Sequence, residues 1–202
     1  VEENPQMYEN YLSLIQVALN SKDGVEIRRS FELFSKNFPL SADLWEEWIN
    51  FEMKCSDFDF VQKLFYRAFE DYQCAKLWPL MLDYAEESCS KEKINERELR
   101  AIHEKALNSI GIHPMYGPII WKKIIDFEID EVEDMIEINI PTDEIAAAKN
   151  HLFNLYSRKL NVPLIGNDKS LEEAIVLAKE LHLDQNSFEN EEKRMKMICS
   201  DS

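Results

Sequence analysis

Carboxylates dominate the reactive side chains of this 202-residue chain, with 39 Asp and Glu against 23 Lys and Arg. Their densest run lies at 128–144, where Glu128, Asp130, Glu131, Glu133, Asp134, Glu137, Asp143 and Glu144 meet no Lys or Arg. Met135, Ile136, Ile138 and Ile140 are interleaved, and Pro141 ends the run. An acidic loop carrying apolar residues suits a basic, amphipathic partner segment. Asp130, Glu131, Glu133, Asp134 and Glu137 are its candidate contact residues. The plainer alternative is an extended, solvated turn whose isoleucines fold back on the core.

Glu52 and Glu128 each follow an aromatic residue, Phe51 and Phe127. A carboxylate pair could do acid–base work, but these two fall in separate segments. The expectation is that each bonds a basic residue such as Arg67 or Arg158 between paired helices. The four His, at 103, 113, 151 and 182, are too dispersed for a His-x-x-x-His metal pair, and His103 reads as packing. There is no Gly-rich phosphate loop and no Gly-x-Ser-x-Gly elbow. Cys55, Cys74, Cys89 and Cys199 form no Cys-x-x-Cys pair and read as core fillers of a reducing, intracellular protein. The expectation is a chain without catalytic, metal or cofactor site.

A formal charge of −16 repels phosphate backbones, so direct nucleic-acid binding by this segment is not expected. No apolar run reaches the length needed to span a bilayer. The chain opens Val1-Glu2-Glu3, without initiator Met or signal peptide, and reads as a portion of a longer protein. Hydrophobic residues make up 45% of it, enough for a core, and only four Gly and seven Pro argue for helices over turn-rich strands.

The helices show as recurring rings. In 44–52, Trp45, Trp48 and Phe51 fall on one side of a helix with Leu44 and Ile49. A leading ring recurs at Tyr8, Trp45, Trp78 and Trp121, at intervals of 37, 33 and 43 residues. Six residues after each comes Leu14, Phe51, Tyr84 or Phe127. Such intervals fit paired-helix solenoid units of roughly 34 to 47 residues. Lys36, Arg67, Lys105 and Arg158 recur late in each second helix. Asn4-Pro5 opens the first helix, and 21–24 breaks it. Cap boxes are expected at 56–59, 95–98 and 170–173. A weaker helix is expected at about 187–199.

Aromatic-rich first helices with Arg- or Lys-bearing second helices resemble half-a-tetratricopeptide (HAT) repeats. The strings Phe38-Pro39-Leu40 before Leu44-Trp45-Glu46-Glu47-Trp48, 105–113 running to Trp121, and Leu160-Asn161-Val162-Pro163-Leu164 are similar to the family of U4/U6 snRNP recycling factors, the squamous cell carcinoma antigens recognised by T cells. The resemblance implies an all-α, α-α superhelix, a right-handed TPR-like solenoid. Residues 1–166 would hold four HAT repeats (about 4–39, 40–73, 74–112 and 117–163). Residues 167–202 would form a terminal helical pair, a degenerate fifth repeat or a cap. It further implies a nuclear, non-catalytic protein–protein scaffold supporting U4/U6 snRNP reassembly in pre-mRNA splicing. Its partners would be snRNP components and deubiquitinases; RNA binding would belong to other modules of the full-length protein, and this segment would be monomeric. The alternative is a HAT scaffold in 3′-end cleavage or ribosome biogenesis.

Overall fold

A computed structural model describes residues 7–72, 74–164 and 167–180, together with Lys193. The expected opening at Asn4-Pro5 and the helix at 187–199 lie outside the described residues. The chain is all-α, with the repeated helix-hairpin packing of a TPR- or HAT-like helical solenoid. It divides into two compact units, residues 1–94 and 95–202.

The first unit holds α1 (Tyr8–Ser21), α2 (Gly24–Asn37), α3 (Ala42–Cys55), α4 (Phe58–Tyr72) and α5 (Leu77–Ser90). Helix α1 packs on α2, α3 on α4, and α5 on both α3 and α4. Lys22, at φ 58°, ends α1 in the left-handed region, and the Asp23 carboxylate then accepts from the Val25 amide to start α2. Ser41 caps α3 through the Leu44 amide. The ring spacing buries as expected: Tyr11, Phe31, Phe34, Trp45, Trp48 and Phe65 are at most 1% exposed. Tyr8 is half-buried with its ring 4.9 Å from Phe34. Trp78 stacks on Phe69 at 4.0 Å, and Tyr84 on Phe58 at 5.5 Å.

The second unit holds α6 (Glu96–Ile110), α7 (Gly117–Glu137), α8 (Thr142–Leu160) and α9 (Asn167–Glu180), each packed on the next except where nothing follows. Asn95 and Glu98 form the expected reciprocal capping box at the start of α6. Trp121 is buried, and its indole N–H donates to the Gly111 carbonyl at 3.0 Å. A Cβ on Gly117 would lie 2.7 Å from that same carbonyl oxygen, so the bend needs a residue without one.

Three local expectations are corrected. Asp57, rather than Ser56, caps α4, accepting from the Phe60 amide at 2.8 Å, because the Ser56 hydroxyl is already given to Glu52. Ser170 lies inside α9, which begins at Asn167, and its hydroxyl takes a bond from Lys159 Nζ at 2.6 Å. The stretch 128–137 is helix instead of loop, forming the last turns of the 21-residue α7. Ile136 and Ile138 there are 48% and 70% exposed, so these isoleucines do not fold back on a core.

Candidate functional site

Glu52 is wholly buried among aromatic rings, yet every side of its carboxylate is met. Arg28 from α2 forks onto it, Nε to Oε1 at 2.8 Å and Nη2 to Oε2 at 2.9 Å. Trp48 Nε1 and the Ser56 hydroxyl donate as well. Burial pushes the Glu52 pKa up, but the donors and the Arg28 charge outweigh it and hold the carboxyl below its usual value. Four residues after Arg28, Glu32 accepts from Arg67 of α4 at 2.7 Å. The Arg67 guanidinium lies 5.6 and 5.2 Å from the Trp45 and Trp48 rings.

The second unit repeats this arrangement. Arg100 of α6 forks onto buried Glu128 of α7 at 2.9 and 3.3 Å. Glu104, four residues on, accepts from Arg158 of α8 at 2.6 Å, and Arg158 lies 5.8 Å from the Trp121 ring. Arg28 and Arg100 also sit 5.9 and 6.0 Å from the Phe51 and Phe127 rings. The expected pairing of Glu52 with Arg67 and Glu128 with Arg158 is therefore corrected. Arg28 and Arg100 bind the two glutamates, while Arg67 and Arg158 reach the helix that carries Arg28 or Arg100. The missed residues had a signal: Arg then Glu at helical spacing, at 28 and 32 and again at 100 and 104.

These carboxylates are spent on holding helices together. Glu128 also lies 3.8 Å from His151 Nε2, but Arg100 already occupies both of its oxygens. Among the described residues, no group of three or more His, Cys, Asp or Glu is placed to hold a metal ion, and no helix is long and apolar enough to cross a membrane. Cys74 is buried, where desolvation and nearby Asp71 push its thiol up. Cys55 is exposed, which corrects its reading as a core filler. Cys199 lies outside the described residues.

His103 is 3% exposed, with its ring edge-on to Phe127 at 5.3 Å. Burial, with the Arg100 charge beside it, lowers its pKa to about 4. The folded protein therefore holds His103 neutral while the unfolded chain binds a proton near the ordinary value of about 6.5. Its contribution is complete above about pH 6.5 and is lost as pH falls toward about 4, up to ~3 kcal/mol in all. Chemical denaturation of wild type and His103→Phe across that window checks this: the variant should lose less stability with acid.

The five acidic residues of α7 do not share one environment. Asp130, Glu133, Asp134 and Glu137 are exposed. Glu131 is half-buried, 3.9 Å from Arg100, and desolvation together with Glu96 raises its pKa. The exposed four, with Ile136 and Ile138, lie toward the end of a hairpin whose helices run 21 and 19 residues, against 14 or 15 for the other helices of known bounds.

The known proteins that the chain resembles carry RNA-processing names. Over 163 residues it is 29% identical to the mouse "Spliceosome associated factor 3, U4/U6 recycling protein", covering 78% of this chain and 15% of that protein. It is 24% identical over 195 residues to the Schizosaccharomyces pombe "mRNA 3'-end-processing protein rna14", covering 96% of this chain and 24% of the relative. It is 26% identical over 168 residues to the Drosophila melanogaster "Protein suppressor of forked", covering 82% and 21%. The chain thus spans less than a quarter of the length of these relatives. The family model described as suppressor of forked protein (Suf) matches residues 1–172, and the chain belongs to that family.

Proposed function

We propose that this chain is the N-terminal HAT subdomain of a U4/U6 snRNP recycling factor and serves it as a non-catalytic protein–protein scaffold in the nucleus. The observation that carries this is the 163-residue similarity to a U4/U6 recycling protein. On this reading residues 1–166 comprise four HAT repeats and 167–202 a terminal pair or cap. Snrnp components, and deubiquitinases with them, are the partners. The buried carboxylates of the two units, Glu52 and Glu128, are consumed by internal pairs with Arg28 and Arg100, which supports a role through shape and surface in place of chemistry. Its acidic surface supports protein partners over RNA.

A second reading, a scaffold in 3′-end processing, is favoured by the rna14 similarity, which covers 96% of the chain. Affinity purification of the full-length protein with and without residues 1–202 separates the two. Loss of U4/U6 snRNP proteins on deletion supports recycling; loss of cleavage factors supports the second reading.

On the scaffold reading, the exposed end of α7 contacts a basic, amphipathic partner segment. Reversing Asp130, Glu133 and Asp134 to Lys removes at least one partner from the same purification, with melting temperature unchanged because all three are exposed. An unchanged partner set would leave the α7 end a mere extension of the hairpin.

A further inference from the structure

The connection between α6 and α7 in unit 2 is ordered, yet its outside is apolar. Gly111 and Gly117 are buried, and Trp121 holds the Gly111 carbonyl. Ile112, Met115 and Ile119 nevertheless stay 77%, 67% and 41% exposed, and Pro114 is exposed with them. Single exposed aliphatic residues are ordinary, but a group of them on one ordered connection marks a contact surface.

The order comes from His113. Its amide donates to the Ile110 carbonyl at 2.9 Å, and its carbonyl accepts from the Gly117 amide at 2.7 Å. Its ring Nδ1 accepts from both the Met115 and Tyr116 amides at 3.2 Å. A partner therefore meets a surface already in shape, and little ordering entropy is lost on contact. With Nδ1 accepting, the hydrogen of the neutral ring sits on Nε2. Among the described residues nothing accepts from that Nε2–H or from the Tyr116 hydroxyl, and neither atom is enclosed.

The charge around this surface departs from that of the chain. Between Glu104 and Asp126 there is no acidic residue, although the chain holds 39. Both flanking carboxylates are already bonded, Glu104 to Arg158 and Asp126 to Lys122. Helix α7 starts here with no acid in its first turn and no side-chain cap, so the positive end of its dipole is left uncompensated. Lys122, 74% exposed, shares its charge with Asp126 at 2.9 Å and adds only at the rim.

We propose that the connection 111–119 docks an acidic peptide segment, bearing aliphatic side chains, from a partner protein. Ile112, Met115 and Ile119 are the anchors; His113 Nε2–H and the Tyr116 hydroxyl are the donors. The inference rests on the scaffold reading and adds a second surface, with a charge preference opposite to that of the far end of α7. Aliphatic side chains cover the anchors, while carboxylates take the donors and face the helix start. A phosphate backbone would use the donors but gain little from the anchors, and it meets a chain of −16.

Titration of the isotopically labelled 202-residue protein with the peptide Asp-Glu-Leu-Leu-Asp-Glu-Ile-Leu-Asp-Glu, followed by backbone amide NMR, tests it. Saturable shifts are expected at Ile112, His113, Met115, Tyr116 and Ile119. The same peptide with Lys at every acidic position gives none there. Ile112→Ser/Met115→Ser weakens binding by about tenfold or more, with melting temperature unchanged because both side chains are exposed. Val176→Ser, 57% exposed on α9, leaves binding unchanged. Should the double variant melt early, Met115→Ser alone weakens binding by about threefold. Absent or non-saturable shifts, binding indifferent to these side chains, or the Lys peptide or hexauridylate shifting the same residues as strongly would each overturn the proposal. Such a failure leaves the scaffold reading intact, since that is decided by the purification with and without residues 1–202.

Discussion

Replacing Trp45 by Ala removes about 3–5 kcal/mol from the unfolding free energy of unit 1. Trp45 is 1% exposed, and its ring stacks on Trp48 at 5.4 Å. The loss exceeds ring burial. Its indole N–H donates to Asp71 at 3.0 Å, the same carboxylate oxygen that accepts from the Leu40 amide at 2.9 Å. Arg67, which rests over both indoles while bonding Glu32, loses one of its two faces. In stacked hairpins such a loss spreads to neighbours, so helical circular dichroism and denaturant midpoint both fall. Trp45→Phe keeps most of the apolar burial and drops only the N–H bond, so it should cost distinctly less. Trp78→Ala and Trp121→Ala, at 5% and 3% exposure, belong to the same class. Wild-type stability for any of the three would overturn this account of the packing.

The second large effect is electrostatic. Arg28→Ala leaves the Glu52 carboxylate, 0% exposed, with Ser56, Trp48 and the weakly donating Cys55 thiol as its donors. Breaking a fully enclosed pair costs about 3–5 kcal/mol; because Arg28 is itself 42% exposed and water can enter its place, about 2–4 kcal/mol is expected. Glu52→Gln should cost less, since the amide oxygen still accepts from Ser56 or Trp48 and no buried charge remains. A double-mutant cycle between the two substitutions reads the coupling directly. The acid side follows from the same geometry. Since Glu52 is held below its usual pKa, its stabilisation is present above the unfolded value of about 4.3 and lost as pH falls through the lower folded value. Wild type should therefore lose more stability below about pH 4 than Glu52→Gln.

Much of the helical scaffold was legible in local sequence. The break at 21–24, the Asn95–Glu98 capping box and the ring periodicity through Trp45, Trp48 and Phe51 act within one or two turns. Neighbouring residues alone decide such features. The end of α7 was not legible. Acidic residues near a helix C-terminus oppose the helix dipole and repel one another, which favours a loop. Tertiary contacts override this: Val132 is 7% exposed, and Arg100 of α6 takes both Glu128 and, more distantly, Glu131.

By itself the sequence determined an all-α chain of recurring aromatic hairpins, because helical spacing and breakers are local. It marked Glu52 and Glu128 as residues that must be paired if buried, because a lone buried carboxylate is too unfavourable to persist. Only the tertiary structure decided their partners. Several arginines satisfy the chemistry equally well, and the choice of Arg28 over Arg67, or Arg100 over Arg158, depends on which helix face meets which neighbour.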